Sequence, residues 1–388
     1  MNGKRLQVLF ISSWYPNRLR PLLGIFIKRH AIALAKLCDV SSIYVYADEN
    51  ESIEEAIEEN VFTIRLGYKR VKTDIPILSG FLKLRAYFNA WKKATEIYKQ
   101  KKGIPDIVNL NVIIPAGNVA SYLKHMWHVP YVISEHWTGY FPEDGRYKGL
   151  WMKSMAQKVV KNASAVITVS TDLKNQMLKA GLNNDYHVIS NIVDTNVFNV
   201  PAIKVKGEKV RFIHVSALDD TQKNILGMIR VFKKVHDSFP NVELIIIGNG
   251  SEKSKLEELA NSLGLKDSVH FGGQKIEQEL VALLQSSDAF VLFSNYETQA
   301  IVLLEALCCG TPVIATKAGG ISDYVNSRNG ILVEPKNEEQ LYNAMVSIVN
   351  ERSGFGSPES IRATVVDKVN ADSIAKQYVE VYNKVLNR

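Results

Sequence analysis

The chain has 388 residues, of which 46% are hydrophobic and 22% are charged, a composition typical of a globular protein with two domains. Every apolar run falls short of the roughly 20 residues that a membrane-spanning helix needs, which excludes a helix of that kind. A net charge of +7 permits an acidic ligand, an anionic membrane surface or nucleic acid as partner and selects none of them.

In the first half of the chain, short apolar segments alternate with longer amphipathic ones. Residues 6 to 11, LQVLFI, are too short for the core of a signal peptide and no small-residue cleavage site follows them, so we expect a first buried strand of a cytoplasmic protein. Residues 25 to 37 have the apolar spacing of a helix. Further strands are predicted at residues 41–46, 106–110, 131–134, 165–169 and 186–190. This alternation is expected of a parallel sheet with crossover helices.

A change of composition separates the two halves. Residues 199 to 209, NVPAIKVKGEK, combine proline, glycine and charge, so we place a boundary there between a first domain at 1–200 and a second at 201–371. The strand pattern then begins again, within 209–220 and at 242–248, 268–271, 289–293 and 312–316. Both halves are therefore predicted to be doubly wound, Rossmann-like α/β domains. Their ligands should bind beyond the carboxyl ends of the strands, in the cleft between the two sheets.

One stretch of the second domain carries a buried charge. In SNYETQAIVLLEALCCG, residues 294 to 310, a loop leaves the predicted strand and a helix follows at 299–309, ended by glycine. This helix is apolar almost all round, so Glu305 is expected to be buried and to need a hydrogen-bond partner. An internal pair with a lysine, an arginine or a backbone amide is one interpretation.

A bound ligand is the other interpretation. The free N–H groups at the start of this helix, around Thr298 to Ile301, can bind an anion. Glu297 comes just before them, and Glu305 lies further along the helix. A diphosphate at the helix end, flanked by hydroxyl groups that donate to the two carboxylates, explains all three features. The stretch therefore predicts a nucleotide-sugar site.

Four motifs in order resemble the retaining glycosyltransferases of family 4, which have the GT-B fold of two Rossmann-like domains. The E-x7-E spacing of Glu297 and Glu305, followed by ALCCGTPVIATKAGG, is similar to the family's donor-site signature. The resemblance extends to SNIVDTNVF (190–198), to residues 245–273 and to a closing helix at about 372–388 that joins the first domain. It implies that the first domain binds the acceptor and the second binds the donor.

The resemblance implies a role for matching residues of the second domain. Glu305 is expected to accept hydrogen bonds from the ribose hydroxyls, and Glu297 from a hydroxyl of the donor sugar. Lys223, in SALDDTQKN, matches a phosphate-binding lysine whose charge stabilises the leaving diphosphate. Backbone groups complete the donor site. Those facing the diphosphate or sugar are expected from Thr298, Gln299, Ala300 and Ile301, and those facing the base from the surroundings of Gly248 and Gln274.

Two residues of the first domain complete the implied site. His136, in SEHWTGYFP, follows a strand end and matches a family histidine near the reaction centre; the alternative is a histidine that only caps a loop. Gly24, in RPLLGIF, resembles the loop that approaches the phosphates in the family.

The sequence departs from the family pattern at several positions. Ala217 replaces the arginine six residues before Lys223, so either another cation assists the lysine or the leaving group is stabilised less. The other departures are Thr298 and Ala300 in place of glycines, Asp323 in place of a glutamate, and Asn109 and Asn111 in place of a strand-end histidine. These departures blur the identity of the donor.

Two further features concern the acceptor. Aromatic residues of the cleft loops can stack on acceptor sugars or form loop core: Trp14, Tyr15, Trp137, Tyr140 and Phe141. Residues 81–102 combine aromatic side chains with many lysines and arginines. As a helix, this segment suits an anionic membrane surface and a lipid-linked acceptor, or alternatively forms a solvated charged face.

Other classes of site find less support in the sequence. His125 and His128 lie three residues apart without an obvious third ligand, so neither a metal nor another cofactor is expected. No G-x-G-x-x-G or P-loop motif occurs. A sugar-nucleotide epimerase of the same fold and a non-catalytic subunit of polysaccharide assembly stay open as alternatives.

The sequence as a whole thus predicts a hexosyltransferase that uses a UDP- or GDP-sugar. The expected acceptor is a glycan or a lipid-linked oligosaccharide in cell-surface polysaccharide biosynthesis, such as that of a capsule. Retention of configuration follows from the resemblance alone. We expect a cytoplasmic enzyme, peripheral on the inner face of the membrane, without a nucleic-acid partner.

Overall fold

The structure is a computed structural model that describes residues 5–71, 76–201, 207–351 and 354–387. It contains two α/β domains, each built on a largely parallel sheet flanked by helices. The segment in which the sequence places the domain boundary, 199–209, lies partly outside the described residues.

The first domain follows the predicted alternation of strands and helices. Its strands are β1 (Gln7–Ser12), β2 (Asp39–Asp48), β3 (Ser52–Glu58), β4 (Val61–Lys69), β5 (Ile107–Asn111), β6 (Tyr131–Glu135), β7 (Ala165–Thr168) and β8 (Tyr186–Val188). Its helices are α1 (Ile25–Ala35), α2 (Pro76–Lys102), α3 (Gly117–Trp127), α4 (Leu150–Asn162) and α5 (Thr171–Lys179). All six predicted strands are confirmed, with boundaries that differ by one or two residues.

The strands β3 and β4 were not predicted. The first sheet has the order β3-β4-β2-β1-β5-β6-β7-β8, and β3 pairs antiparallel with β4 while the other described pairs are parallel. The strand β3 was not predicted because its sequence, SIEEAIE, is rich in glutamate. These glutamates lie at an edge of the sheet, where charged side chains prevent pairing with a strand of another chain. Arg65 of β4 pairs with Glu54 and Glu58 of this edge, each at 2.8 Å.

The second domain has a six-stranded sheet in which every described pair is parallel. Its strands are β9 (Val210–Val215), β10 (Val242–Ile247), β11 (Val269–Gly273), β12 (Ala289–Leu292), β13 (Val313–Thr316) and β14 (Gly330–Val333), in the order β11-β10-β9-β12-β13-β14. Its helices are α6 (Asp220–Lys223), α7 (Ile225–Ser238), α8 (Lys253–Ser262), α9 (Glu277–Gln285), α10 (Ile301–Cys308), α11 (Glu338–Asn350), α12 (Pro358–Ala363) and α13 (Val366–Val369). The five predicted strands are confirmed, and β14 is additional.

The strand order places a crevice at the corresponding point of both sheets. In each sheet the first strand of the domain, β1 or β9, lies between strands that come later in the chain. The crossover connections on its two sides run in opposite directions, so the loops beyond its carboxyl end spread apart and leave a crevice. The loops after β1 and β6 contribute to the same cleft as those after β9 and β12.

A last helix, α14 (Ala371–Leu386), follows the second domain but packs on the first. Its buried residues Ile374, Tyr378 and Tyr382 belong to the core of the first domain. The Tyr382 hydroxyl donates to Asn109 Oδ1 over 3.1 Å, and Asn109 in turn donates to Asn111 Oδ1. The two asparagines that depart from the family pattern therefore form a buried polar network under α14.

Helix α2 covers one side of the first sheet, and most of the helix's aromatic residues pack against that sheet. Tyr87, Trp91 and Tyr98 are buried in the domain core, so the aromatic part of the expected membrane surface is largely structural. Phe81 and Leu84, near the start of the helix, are 63% and 45% exposed. Within the described parts of the chain, no helix is both long and apolar enough to span a bilayer.

We predict that Tyr382→Phe lowers the free energy of unfolding of the protein by about 1 kcal/mol, because one buried hydrogen bond to Asn109 is lost without a change of shape. Urea unfolding followed by circular dichroism measures this change. Tyr122→Phe, at an exposed ring of α3, is the matched control and should leave the unfolding curve unchanged. Equal curves for Tyr382→Phe and the wild type would show that the network contributes no stability.

Candidate active site

The loop after β12 holds a carboxylate at the interface of the two domains. Glu297 is only 4% exposed, and its Oε1 accepts a hydrogen bond from Ser294 Oγ over 2.8 Å. The same oxygen forms an ion pair with Lys223 Nζ, at the end of α6. The structure thus brings two of the predicted catalytic residues into direct contact, and each offsets the charge of the other.

Two glycines allow this loop to lie where it does. A Cβ on Gly319 would stand 1.7 Å from the carbonyl oxygen of Glu297, and the residue has a φ of +60° that side chains rarely adopt. Gly320 donates its N–H to the carbonyl oxygen of Thr298 over 3.0 Å. A Cβ on Gly320 would meet the side chain of Ser170 at 2.3 Å, so this pair also sets the approach of the first domain.

The start of the next helix presents unpaired N–H groups. Helix α10 begins at Ile301, two residues later than predicted, because Ala300 has left-handed backbone angles of φ 64° and ψ 73°. Among the described residues, none accepts a hydrogen bond from the backbone N–H of Gln299, Ala300 or Ile301. Ala300 and Ile301 line the same cleft as Thr298, Glu297 and Lys223. A negative group bound in this cleft can therefore reach a helix N-terminus.

The side chain of Gln299 has a role that was not predicted. It is fully buried, and its Oε1 accepts from the backbone N–H and from Nδ2 of Asn191, over 2.9 and 2.7 Å. Its Nε2 donates to Ser190 Oγ and Tyr324 Oη. Gln299 therefore ties the loop after β12 to the last segment of the first domain.

His136 faces the cleft from the first domain. It is buried between Phe26, with ring centroids 4.7 Å apart, and His30, at 6.0 Å. Neither of its ring nitrogens has a hydrogen-bond partner among the described residues. Burial holds the pKa of His136 well below its usual range, with His30 adding to the effect, so the ring is neutral. A contact of His136 with a bound sugar stays a prediction, which its unpaired ring nitrogens favour.

His136 is positioned by a buried glutamate that the sequence did not single out. Glu135, the last residue of β6, accepts hydrogen bonds from the backbone N–H groups of His136 and Trp137, over 2.8 and 2.9 Å. It also accepts from the N–H of Ile113 and from the hydroxyl of Tyr140. Burial raises the pKa of Glu135, and these four donors counteract that effect. The charge next to His136 in the sequence SEHW was the signal that could have revealed it.

The second glutamate of the E-x7-E motif reaches the opposite domain. Glu305 is buried in α10, and its Oε1 pairs with Nη1 of Arg29, on α1, over 3.1 Å. Arg29 also pairs with Glu277 over 2.8 Å. This pair is the internal arginine partner that was one of the two interpretations of the buried charge. Oε2 of Glu305 accepts no hydrogen bond from the described residues.

Burial outweighs this ion pair in the titration of Glu305. Loss of solvation raises the pKa of Glu305 to about 7, Arg29 lowers it, and Glu277 raises it slightly. Arg29 and Glu277 line a second interdomain cavity of about 580 Å³, whereas Glu297 lines the first cleft, of about 350 Å³. Glu297 thus lines a cleft directly, whereas Glu305 lines neither cavity and is connected to the second through Arg29.

Of the three remaining predicted donor residues, Gly24 lies at the start of α1, and Gly248 and Gln274 directly follow the strands β10 and β11. Gly24 caps α1 with a φ of +67°, and a Cβ there would stand 2.7 Å from the carbonyl oxygen of Trp14. Gly248 has a φ of +134° and approaches the carbonyl oxygen of Ser216, which lines the cleft. Gln274 follows Gly273, which accepts a hydrogen bond from Gly248. None of the three lines the 350 Å³ cleft as the structure describes it.

The aromatic residues of the cleft loops divide into two groups. Trp14 and Trp137 line the cleft. The other three, Tyr15, Tyr140 and Phe141, are buried in the core of the first domain. Trp137 is also buried in that core and has Arg146 over its ring, so Trp14 is the one of these five that is not buried.

Two family models match the chain, one after the other. Residues 23–197 match Glycosyltransferase Family 4, and residues 197–363 match Glycosyl transferases group 1. An uncharacterized glycosyltransferase of Methanocaldococcus jannaschii is 30% identical over 304 residues, which cover 68% of this chain and 72% of that protein. TuaC of Bacillus subtilis, a candidate glycosyltransferase of teichuronic acid biosynthesis, is 22% identical over 98% of this chain and 99% of its own length.

Solved structures of the GT-B fold superpose on the whole chain. Sucrose-phosphate synthase from Thermosynechococcus elongatus does so with a TM-score of 0.80, at 21% identity, over 98% of this chain and 99% of that one. HepE from Anabaena, in complex with UDP and glucose, has a TM-score of 0.75 at 18% identity and covers 97% of this chain and 99% of its own. The chain has two α/β domains around a common cleft, matches both family models and is 30% identical to the relative in Methanocaldococcus. It therefore belongs to the GT-B glycosyltransferases of family 4.

Proposed function

We propose that this glycosyltransferase moves a hexosyl residue from a UDP- or GDP-sugar to a hydroxyl of a glycan or lipid-linked oligosaccharide, with retention and without a metal. The observation that carries this proposal is the convergence of Glu297, Lys223 and His136 on one cleft with the unpaired N–H groups of Ala300 and Ile301. The pathway we propose is the assembly of a cell-surface polysaccharide.

The positive end of α10 and Lys223 suit the diphosphate of the donor. As the bond between C1 of the sugar and the phosphate oxygen breaks, its electron pair stays on that oxygen, and nearby N–H groups and cations stabilise the charge. The acceptor oxygen bonds to C1, and its proton passes to the released phosphate, which balances the reaction. Lys223 serves this step once the diphosphate replaces Glu297 as its partner.

Glu297 and His136 suit the donor sugar. A carboxylate freed from Lys223 accepts hydrogen bonds from sugar hydroxyls, and the neutral imidazole of His136 offers both a donor and an acceptor nitrogen. The two residues come from opposite domains and line the same cleft. They can therefore fix the sugar between the domains, with C1 towards the diphosphate.

Glu305 suits the ribose. Its Oε2 has no partner among the described residues, while Arg29 holds Oε1. A ribose hydroxyl can donate to Oε2 without displacing Arg29. The relatives support a donor of this class, since HepE has been solved with UDP and with UDP-glucose. TuaC supports the assignment to surface polysaccharide.

A contact with an anionic membrane is proposed for the start of α2. Phe81 and Leu84 are exposed there next to Lys83 and Arg85, whereas Lys101 at the other end of the helix pairs with Glu55. Apolar and basic side chains side by side suit the boundary between headgroups and acyl chains. Such a contact would bring a lipid-linked acceptor to the first domain.

The first prediction concerns nucleotide binding. In thermal unfolding with UDP, GDP, ADP or CMP, we expect UDP or GDP to stabilise the wild type, by about 2.7 kcal/mol at 100 times the dissociation constant. Glu305→Leu should stay folded and lose this stabilisation, because the ribose hydroxyls lose their acceptor. Thr364→Val, outside both cavities, is the control. If no nucleotide stabilises the wild type, the proposed donor site is wrong.

The second prediction concerns pH. The ionised carboxylate of Glu305 accepts a stronger hydrogen bond from a ribose hydroxyl than the protonated acid does, so affinity for the donor should rise as the pH increases through about 7. Between pH 6 and 8 the rise is at most about tenfold, because the ionised fraction grows from about a tenth to nine tenths. The folding stability of the free protein has the opposite dependence on pH. Because burial raises the pKa of Glu305 from 4.5 to about 7, its proton stabilises the fold fully below pH 4.5, and this contribution is lost as the pH rises through about 7.

Calorimetric titration with UDP-glucose tests this dependence, because its diphosphate is esterified at both ends and keeps its charge over the range. His30 does not interfere, since burial lowers its pKa to about 4. Glu305→Gln should bind weakly and without dependence on pH. A variant that keeps the wild-type slope would assign the titration to another group.

The third prediction concerns the membrane. Phe81→Ser combined with Leu84→Ser should reduce cosedimentation with vesicles of phosphatidylglycerol and phosphatidylcholine severalfold, because the apolar anchor is lost. The matched control is Met126→Ser with Ile104→Ser, two residues of similar exposure at 53% and 46%. Equal sedimentation of both double variants would exclude the start of α2 as the contact.

A further inference from the structure

The donor side of the cleft is short of positive charge. Ala217, where the family pattern has an arginine, is exposed and lines the cleft together with Lys223. Lys223 is paired with Glu297, which offsets its charge. Of the described residues that line this cleft, Lys223 and Arg146 carry a permanent positive charge. Arg146 belongs to the first domain, in the loop between β6 and α4.

The backbone and side chain of Arg146 are held firmly in place. Its Nε and Nη2 bind the two oxygens of Asp144, each over 2.5 Å, and Nη2 also donates to Thr138 Oγ1 over 2.9 Å. The Asp144 side chain is fully buried, and the guanidinium lies over the ring of Trp137, 5.7 Å from its centroid. Such a two-point anchor fixes the direction of the guanidinium plane.

One nitrogen of the guanidinium is unpaired, and Arg146 lines a cleft to which the second domain also contributes. Nη1 of Arg146 has no hydrogen-bond partner among the described residues, and the side chain is 61% exposed. The pKa of Arg146 is raised first by its hydrogen bond to Asp144, with smaller contributions from Tyr296 and Asp219. These two residues belong to the second domain and are neighbours in sequence of Glu297 and Ala217. The charge of Arg146 is therefore felt where the missing arginine would be.

We propose that Arg146 is a catalytic residue that binds the diphosphate of the donor from the first domain and takes the place of the arginine that Ala217 lacks. This inference rests on the proposed transfer from a nucleotide sugar. When the bond from C1 to the phosphate oxygen breaks, the electron pair left on that oxygen is stabilised by Nη1 of Arg146 together with Lys223. Because the two cations come from opposite domains, the leaving group is fully stabilised only when both domains contact it.

Binding of UDP compared with UMP, and of GDP compared with GMP, tests this inference by calorimetry. Arg146→Gln should weaken binding of the diphosphate that the wild type prefers roughly tenfold or more, since a charged hydrogen bond is lost. It should leave the monophosphate almost unaffected, because the second phosphate is absent there. The double variant Asp144→Asn with Arg146→Gln also removes the carboxylate that loses its partner in the single variant, and should show the same selective loss.

Moving the charge provides a second test. Ala217→Arg in the Arg146→Gln background should restore most of the lost diphosphate affinity and the rate of transfer, because the side chain at position 217 opens into the same cleft. Arg230→Gln, which also removes an arginine from an ion pair on a half-exposed site, is the matched control and should bind both nucleotides as the wild type does.

The outcomes separate this inference from the proposed function. If the wild type binds UDP or GDP and Arg146→Gln binds it equally well, the role of Arg146 is overturned while the donor site stands. If the monophosphate and the diphosphate lose affinity equally, Arg146 acts on the shape of the loop and the inference fails. If the wild type binds no nucleotide, both the inference and the proposed function fail.

Discussion

The constraint on which the rest of the structure depends is that a polar group buried on α10 or on the loop before it must be paired. Its partners lie in the first domain: Glu305 pairs with Arg29, and Gln299 pairs with Asn191. Leaving either group buried without a partner would be costly, so the two pairs favour one relative position of the domains. The cleft is thus a consequence of satisfying these groups.

Within this cleft, charges of opposite sign are held together without a ligand. Lys223 pairs with Glu297, and Arg146 pairs with Asp144 through Nε and Nη2. In the proposed reaction, the diphosphate of the donor takes the place of Glu297 on Lys223, while the sugar hydroxyls bind the carboxylate that is released. Such an exchange keeps every buried charge paired before and after binding, which limits the loss of solvation energy. Burial lowers the pKa of His136 and of His30, so these two histidines add no further charge.

Helix α2 shows how tertiary packing changes the meaning of a segment. Its aromatic and basic residues suggested a surface for membranes, yet Tyr87, Trp91 and Tyr98 fill the core of the first domain. Composition cannot separate the two cases, because an amphipathic helix that packs on a sheet and one that lies on a bilayer share the same apolar stripe. Among the side chains of α2 that the structure describes, the large apolar ones in solvent are Phe81 and Leu84, near its start.

The sequence by itself determined the two α/β domains, eleven of their strands and the E-x7-E loop and helix, because apolar period and glycine positions are local properties of the chain. It missed β3, whose glutamates guard a sheet edge, and placed the start of α10 two residues early, because Ala300 adopts a left-handed conformation that propensity does not foresee. The pairing of Glu305 with Arg29 spans 276 residues, and Arg146 comes opposite Ala217 across the cleft. Contacts between residues so far apart in the chain depend on how the two sheets face each other, which only the tertiary structure decided.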